Sequence, residues 1–252
     1  MKLIFIRHGD PDYATDSLTL TGTEEARRLH DFLKNENLGD IYCSPLGRAM
    51  KTAELALGST ENVTTKEWLK EFNSQVDPNG CREIQLADGQ DLQSEGDHFV
   101  LRNCWDLLPE YYFSHPELRD RLLWRNSLVA RHSQTVQQYD YVTSEFDKLL
   151  EQYGYSRRDG YYHVEKGNHD VVTFICHFGI SSVLLSHLMD VSPFVIMQST
   201  CIPPTGISIA VTEEREKGFA LFRILQLGAT PHLEKPSFHA RFAECYEDDS
   251  RH

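Results

Sequence analysis

The chain opens Met1-Lys-Leu-Ile-Phe-Ile-Arg-His-Gly9, four consecutive apolar residues that run into a basic dipeptide and a glycine. An apolar run of this length reads as a strand buried on both faces. Open α/β sheets present reactive side chains at the carboxyl ends of such strands. Arg7 and His8 therefore mark where the chemistry is expected, and the rest of the chain is read outward from them.

Asp10 to Ser17 is rich in turn formers, and Thr21-Gly-Thr-Glu24 offers a capping box for a helix with Ala26, Leu29, Phe32 and Leu33 on one face, ending near Asn37-Leu-Gly39. Asp40 to Cys43 is a short strand. Ser44 then stands as an N-cap, with Pro45 at the first position of a helix that runs through Ala49, Ala53 and Leu57 to Gly58. Glu61 to Thr65 reads as a third strand from its β-branched content.

Across 73–132 the period breaks up around an aromatic cluster of Trp105, Tyr111, Tyr112 and Phe113. A stretch this long without a clean period is expected to be a cap inserted into a single domain spanning 1–252, its aromatics serving as cap core. Helical spacing returns from Ser133 to Tyr153. Gly160 to Val164 and Asp170 to Cys176 are expected to pair about the Lys166-Gly-Asn168 turn, the second strand delivering His177. Gly179 to Met189 reads as a helix, Gly206 to Thr212 and Phe219 to Leu227 as a closing hairpin, and the acidic tail from Glu244 as frayed. Strands alternating with helices predict an α/β fold, a three-layer α/β/α sandwich with a mainly parallel sheet and the final hairpin as an antiparallel edge.

The charge balance, 25 basic against 38 acidic side chains for a net of -13, argues against a nucleic acid or an anionic membrane as partner. An anionic substrate remains workable, because screening over about 8 Å leaves local arginines in control of a pocket. Cys43, Cys81, Cys104, Cys176, Cys201 and Cys245 are scattered without a C-x-x-C pair or a zinc pattern. The chain shows no signal-peptide pattern and no apolar run of membrane-spanning length. The expectation is a reduced, cytoplasmic protein with no metal or other cofactor.

Four separated stretches, taken in order, carry more than any one of them. They are Arg7-His8-Gly9, Ser44-Pro-Leu-Gly-Arg48-Ala-Met-Lys-Thr-Ala-Glu54, Leu69-Lys-Glu71-Phe72, and Val171-Val-Thr-Phe-Ile-Cys-His177-Phe-Gly179. Together they resemble the histidine phosphatase superfamily, which includes the cofactor-dependent phosphoglycerate mutases and related broad-specificity phosphatases. The resemblance implies the phosphoglycerate mutase-like fold and a phosphate pocket made of Arg7, His8, Arg48 and His177. It also implies His8 as nucleophile, through a phosphohistidine, and Glu71 as general acid.

The residue types suit those roles. A neutral imidazole can accept a phosphoryl group, and flanking arginines disfavour its protonation. Guanidinium forks match phosphoryl oxygens, a second histidine adds a donor, and the amides opening the helix after Gly179 add a favourable dipole. Glu71 needs a raised pKa to act as an acid, and Glu67 is the other candidate. Another branch of the superfamily takes its acid from an aspartate directly after the second histidine. Here that position is Phe178, which favours Glu71.

The function expected is hydrolysis of a small phosphomonoester without a metal. The alternatives are a phosphoglycerate mutase, whose longer glutamate signature and basic, proline-rich loop are missing, and a catalytically idle phosphate-binding or interaction module. Arg82, Arg102 and Arg125 are candidates for a second anionic group. Tyr13 lies in the loop where relatives supply a polar phosphate contact, although Asp10-Pro11 departs from their pattern.

Overall fold

Lys2–Arg7 forms strand β1 with its four central residues buried. They divide by parity between two cores. Leu3 and Phe5 join one with Phe146, Phe174 and Leu184, while Ile4 and Ile6 join another with Leu29, Ala49, Ala53 and Ile175. A strand covered on both faces belongs in the middle layer of three. The computed structural model describes residues 1–77, 79, 81, 83–86, 94, 95, 98, 99, 101–234 and 236, so Arg82, Cys245 and the tail from Glu244 lie outside the described residues.

The other strands of the main sheet are β2 (Asp40–Cys43), β3 (Val63–Thr65), β4 (Tyr155–Arg158), β5 (Tyr161–Val164), β6 (Val171–Cys176), β7 (Ile207–Glu216) and β8 (Phe219–Ala229). Their order is β4-β5-β8-β7-β1-β6-β2-β3. Strands β1, β6, β2 and β3 are mutually parallel, and the pairs β1/β7, β7/β8, β8/β5 and β5/β4 are antiparallel. By direction β8 and β4 run with β1, so only β7 and β5 oppose it among these strands. The mainly parallel sheet is as expected.

Two pairings differ from expectation. The closing hairpin β7–β8 lies inside the sheet, with β4 at the edge. Strand β6 pairs with β1 and β2 rather than with β5. Val-Val-Thr-Phe-Ile-Cys is buried on both faces after its first residue and needs a central slot. Residues 155–164 are less buried and form their own hairpin, turning through Asp159 and Gly160 at φ 43° and 94°. Two consecutive positive φ values are the signature of a tight two-residue hairpin loop.

The helices are α1 (Leu20–Leu33), α2 (Gly47–Leu57), α3 (Pro109–Ser114), α4 (Leu128–Arg131), α5 (Thr135–Gln152), α6 (Phe178–Met189) and α7 (Pro193–Ser199). α1 and α2 cover the Ile4/Ile6 face and α5 and α6 the Leu3/Phe5 face, completing the three layers. Among the described residues, no helix is long and apolar enough to cross a membrane.

Helix α1 starts earlier than its sequence suggests. Thr19 is the N-cap, its Oγ1 accepting the Gly22 amide at 3.0 Å, and Thr21 lies within the first turn. Phe32 is 40% exposed rather than core, with its ring 6.1 Å from that of His232. α2 starts at Gly47 rather than Pro45, because the Ser44 hydroxyl is directed to His177 and the Gly47 amide is taken by Asp16 Oδ2 at 2.6 Å.

Within 73–132, Tyr111, Tyr112 and Trp124 enter the same core as Phe146. Trp105 is half-buried against Phe178, and Phe113 is 68% exposed rather than buried with its neighbours.

Candidate active site

Strands β1 and β6 are parallel neighbours in register, with Arg7 opposite Cys176. The residues that follow, His8 and His177, therefore leave the sheet side by side. Their ring centroids are 5.0 Å apart with the planes at 61°, and neither side chain is more than 1% exposed. Strand β2, on the far side of β6, leads into Ser44, whose amide bonds the Ile175 carbonyl at 2.9 Å. Helix α2 then carries Arg48 back over the strand ends. Sheet order, rather than chain order, gathers the four expected phosphate ligands.

His8 Nδ1–H donates to the Gly9 carbonyl at 2.7 Å. A carbonyl can only accept, so this bond fixes the tautomer and leaves Nε2 with its lone pair. Burial, reinforced by the Arg7 charge, pushes the His8 pKa down to about 3. His177 Nε2 meets Ser44 Oγ at 2.7 Å. Burial, then the neighbouring His8, Arg48 and Arg7, hold His177 far below the ordinary imidazole range. Both rings are neutral at pH 7.

Arg7 Nη1 donates to the Ile202 carbonyl at 2.6 Å, and Arg48 Nη1 to Asp16 Oδ1 at 2.6 Å. Both arginines keep a buried Nε without a hydrogen-bond partner, and His177 Nδ1 is in the same condition. Buried polar atoms left unpaired are costly, and two arginine N–H donors with a third imidazole nitrogen in the same region suit an oxyanion. The Arg48 guanidinium also lies 5.6 Å from the ring of Tyr13, a residue otherwise 72% exposed.

Glu71 follows a 3-10 turn (Glu67–Leu69) anchored in the core by Trp68 and Leu69. Its Oε1 accepts the Phe72 amide at 2.9 Å and the Ile180 amide at 3.2 Å. Burial raises its pKa above the ordinary carboxylate range, opposed chiefly by Arg7. One of the amides that opens α6 is thus bound to Glu71. Glu67, the other candidate acid, is at the surface, its side chain 69% exposed and 2.7 Å from Lys70 Nζ.

Several residues escaped the sequence reading. Ser44 was expected only as a helix cap. Asp16 clamps both Arg48 and the α2 amino terminus from a loop without periodicity. Thr52 Oγ1 accepts the Gly9 amide at 3.0 Å and donates to the Arg48 carbonyl at 2.8 Å, linking the segment after β1 to the helix that carries Arg48. Its position four residues after Arg48 on the same helix face was the one available signal. Arg125 is occupied elsewhere, pairing with Asp140 at 2.7 Å, and Arg102 sits in a two-residue strand (Arg102–Asn103) paired with Gln75–Val76.

Comparison with known proteins bears on the fold. The model of the Histidine phosphatase superfamily (branch 1) matches residues 3–89. No curated protein sequence is matched significantly. Among solved structures, the chain is similar to a histidine-to-alanine mutant of phosphoserine phosphatase from Entamoeba histolytica bound to phosphoserine, with TM-score 0.57 and 18% identity, over 92% of this chain and 98% of that one. An α-ribazole phosphatase from Shigella flexneri aligns with TM-score 0.51 and 19% identity, over 91% and 98%. A mycobacterial glucosyl-3-phosphoglycerate phosphatase with inorganic phosphate aligns with TM-score 0.52 and 16% identity, over 92% and 99%. These likenesses establish the fold.

Proposed function

We propose that this chain, a member of the histidine phosphatase superfamily, hydrolyses small phosphomonoesters by passing the phosphoryl group through Nε2 of His8. In the first step the Nε2 lone pair attacks phosphorus, the ester P–O bond breaks, and the departing oxygen takes the proton of Glu71. In the second, Glu71 removes a proton from water, the water oxygen attacks phosphorus, and the P–N bond electrons return to Nε2. Both partners are then restored. Arg7, Arg48 and His177 Nδ1–H serve as donors to the transferring oxygens, and phosphoryl transfer asks the protein for little beyond such positioning and charge.

The observation that carries this reading is the fixed neutral tautomer of His8, set 5.0 Å from His177 between two arginines with unpaired buried donors. Two guanidinium groups supply the positive charge that a metal would otherwise bring, so the reaction is expected to proceed in the presence of a chelator. The segment 73–132 is read as a cap inserted into a single domain. Cys43, Cys104 and Cys176, buried and unpaired, accord with a reducing, cytoplasmic setting.

The test is a panel of sugar phosphates, glycolytic phosphates, nucleotides and phosphopeptides assayed with EDTA. Release of inorganic phosphate, abolished in a folded His8→Ala variant, is expected. Undiminished hydrolysis by that variant would refute the mechanism.

A further inference from the structure

Glu71 serves as an acid only if its carboxyl keeps a proton beside two cations. Arg7 at the end of β1 and Arg48 on α2 both favour the carboxylate, as do the Phe72 and Ile180 amides. Cys176 of β6 also faces it, with a thiol that burial pushes up to about 12 and so leaves uncharged. The opposing influence must come from a group that excludes water.

One apolar group comes close beside Gly179. A methyl built on this glycine would lie 2.8 Å from Glu71 Oε1, 2.8 Å from Trp105 Cζ3 and 2.9 Å from Trp105 Cη2. Two atoms each 2.8 Å from one point lie at most twice that distance, 5.6 Å, apart, so the indole edge and the carboxylate are neighbours above the glycine. The indole is held in place. Gln198 of α7 donates its side-chain amide to the Trp105 carbonyl, and the ring packs edge-on against Phe178, centroids 6.1 Å apart at 82°.

We propose that Trp105, supplied by the 73–132 segment, is a positioning residue that shields the Glu71 carboxyl from water and so readies it to protonate the leaving oxygen. The catalytic consequence rests on the phosphatase reading; the shielding itself does not. An apolar ring over a carboxyl disfavours the charged form, and only glycine at 179 lets the ring come this close. Residues far apart in the chain thus complete one acid, and loss of the Trp105 ring would open the Glu71 carboxyl to water and favour its charged form.

Two readouts separate the shielding from the reaction. Carbon-13 NMR of Glu-labelled full-length protein follows the Glu71 carboxyl, its signal identified by its loss in Glu71→Gln. In Trp105→Ala its pKa is expected to fall by about one unit, and in Trp105→Phe to stay near the wild-type value. Trp105→Gln, which keeps more bulk than alanine but admits water, provides the same measurement should the alanine variant fail to fold.

For kcat/KM against pH on an alkyl phosphate, whose leaving oxygen needs the proton, the alkaline limb is expected to move acidward by the same amount in Trp105→Ala. An unchanged Glu71 titration in a folded Trp105→Ala or Trp105→Gln protein, or activity lowered evenly at every pH, would overturn the proposal. A wild-type protein that hydrolysed no ester would overturn the phosphatase reading instead, with the NMR titration still deciding the shielding.

Discussion

Ser44→Ala removes a hydroxyl that the chain buries completely against His177. Both side chains are 0% exposed and the Oγ–Nε2 distance is 2.7 Å, so no water can replace the lost partner. Leaving a buried imidazole nitrogen unpaired costs about 1–3 kcal/mol. At about 2–4 °C per kcal/mol for a chain of this size, Tm is expected to fall by about 2–12 °C. The longer 3.3 Å bond from the Leu46 amide to the same hydroxyl adds little.

The hydroxyl also bears on the tautomer. When it donates to Nε2, the ring proton sits on Nδ1, the buried nitrogen left for the phosphoryl oxygens. If the lost interaction is expressed in the transition state, kcat falls about 5- to 160-fold at 1.36 kcal/mol per decade. Thermal unfolding and initial rates on p-nitrophenyl phosphate, with His177→Ala as reference, measure both effects. Wild-type Tm and kcat in Ser44→Ala would refute the assignment of His177 as an oriented donor.

Other outcomes follow from the same geometry. His8 binds no proton in the folded chain until about pH 3, whereas the unfolded chain protonates it near 6.5. The unfolded state then holds the extra proton between those values, so stability falls as pH falls from about 6.5 toward 3, with a slope of up to about 1.4 kcal/mol per pH unit for one site. Urea unfolding at pH 7 and pH 5 should show this loss, reduced in His8→Ala; an identical pH dependence in that variant would contradict it. Glu71→Gln is expected to lower kcat on alkyl phosphates by about 10²- to 10⁴-fold, while Glu67→Gln, removing only a surface pair with Lys70, should stay within about twofold of wild type. The reverse ranking in steady-state assays would move the acid to Glu67. Gly9→Ala would place a methyl 2.7 Å from the Gly22 carbonyl oxygen, against backbone that cannot swing aside. Circular dichroism and phosphate binding should show a folded protein with a weakened pocket, and unaltered phosphate affinity would contradict the close approach.

Much of this was written locally. The apolar run Leu3 to Ile6 announced a doubly covered strand, and the second strand–histidine–glycine stretch announced a partner for it. What the chain does not spell out is spatial order. Nothing near Val171 says that β6 slips between β1 and β2, because strand order is settled by the need to cover both faces of the most apolar strands. The expected pairing of β6 with β5 failed for that reason. Ser44 looked like a helix cap because its neighbours have cap-like chemistry, yet a buried imidazole one strand away competes for the hydroxyl and wins. Asp16 and Trp105 were illegible in their roles, since each sits in an aperiodic stretch whose side chains take meaning only from what the sheet places beneath them. Phe32 was read as core on periodicity alone, and the helix turns it outward.

Trapping the enzyme during turnover decides whether His8 carries the phosphoryl group. Rapid mixing with a phosphorus-32-labelled phosphomonoester, an alkaline quench that preserves phosphohistidine, and peptide mapping by mass spectrometry should find label on the peptide containing His8, stable to base, lost in acid and missing in His8→Ala. Label elsewhere, or inorganic phosphate released in the first turnover without any labelled protein, would contradict it.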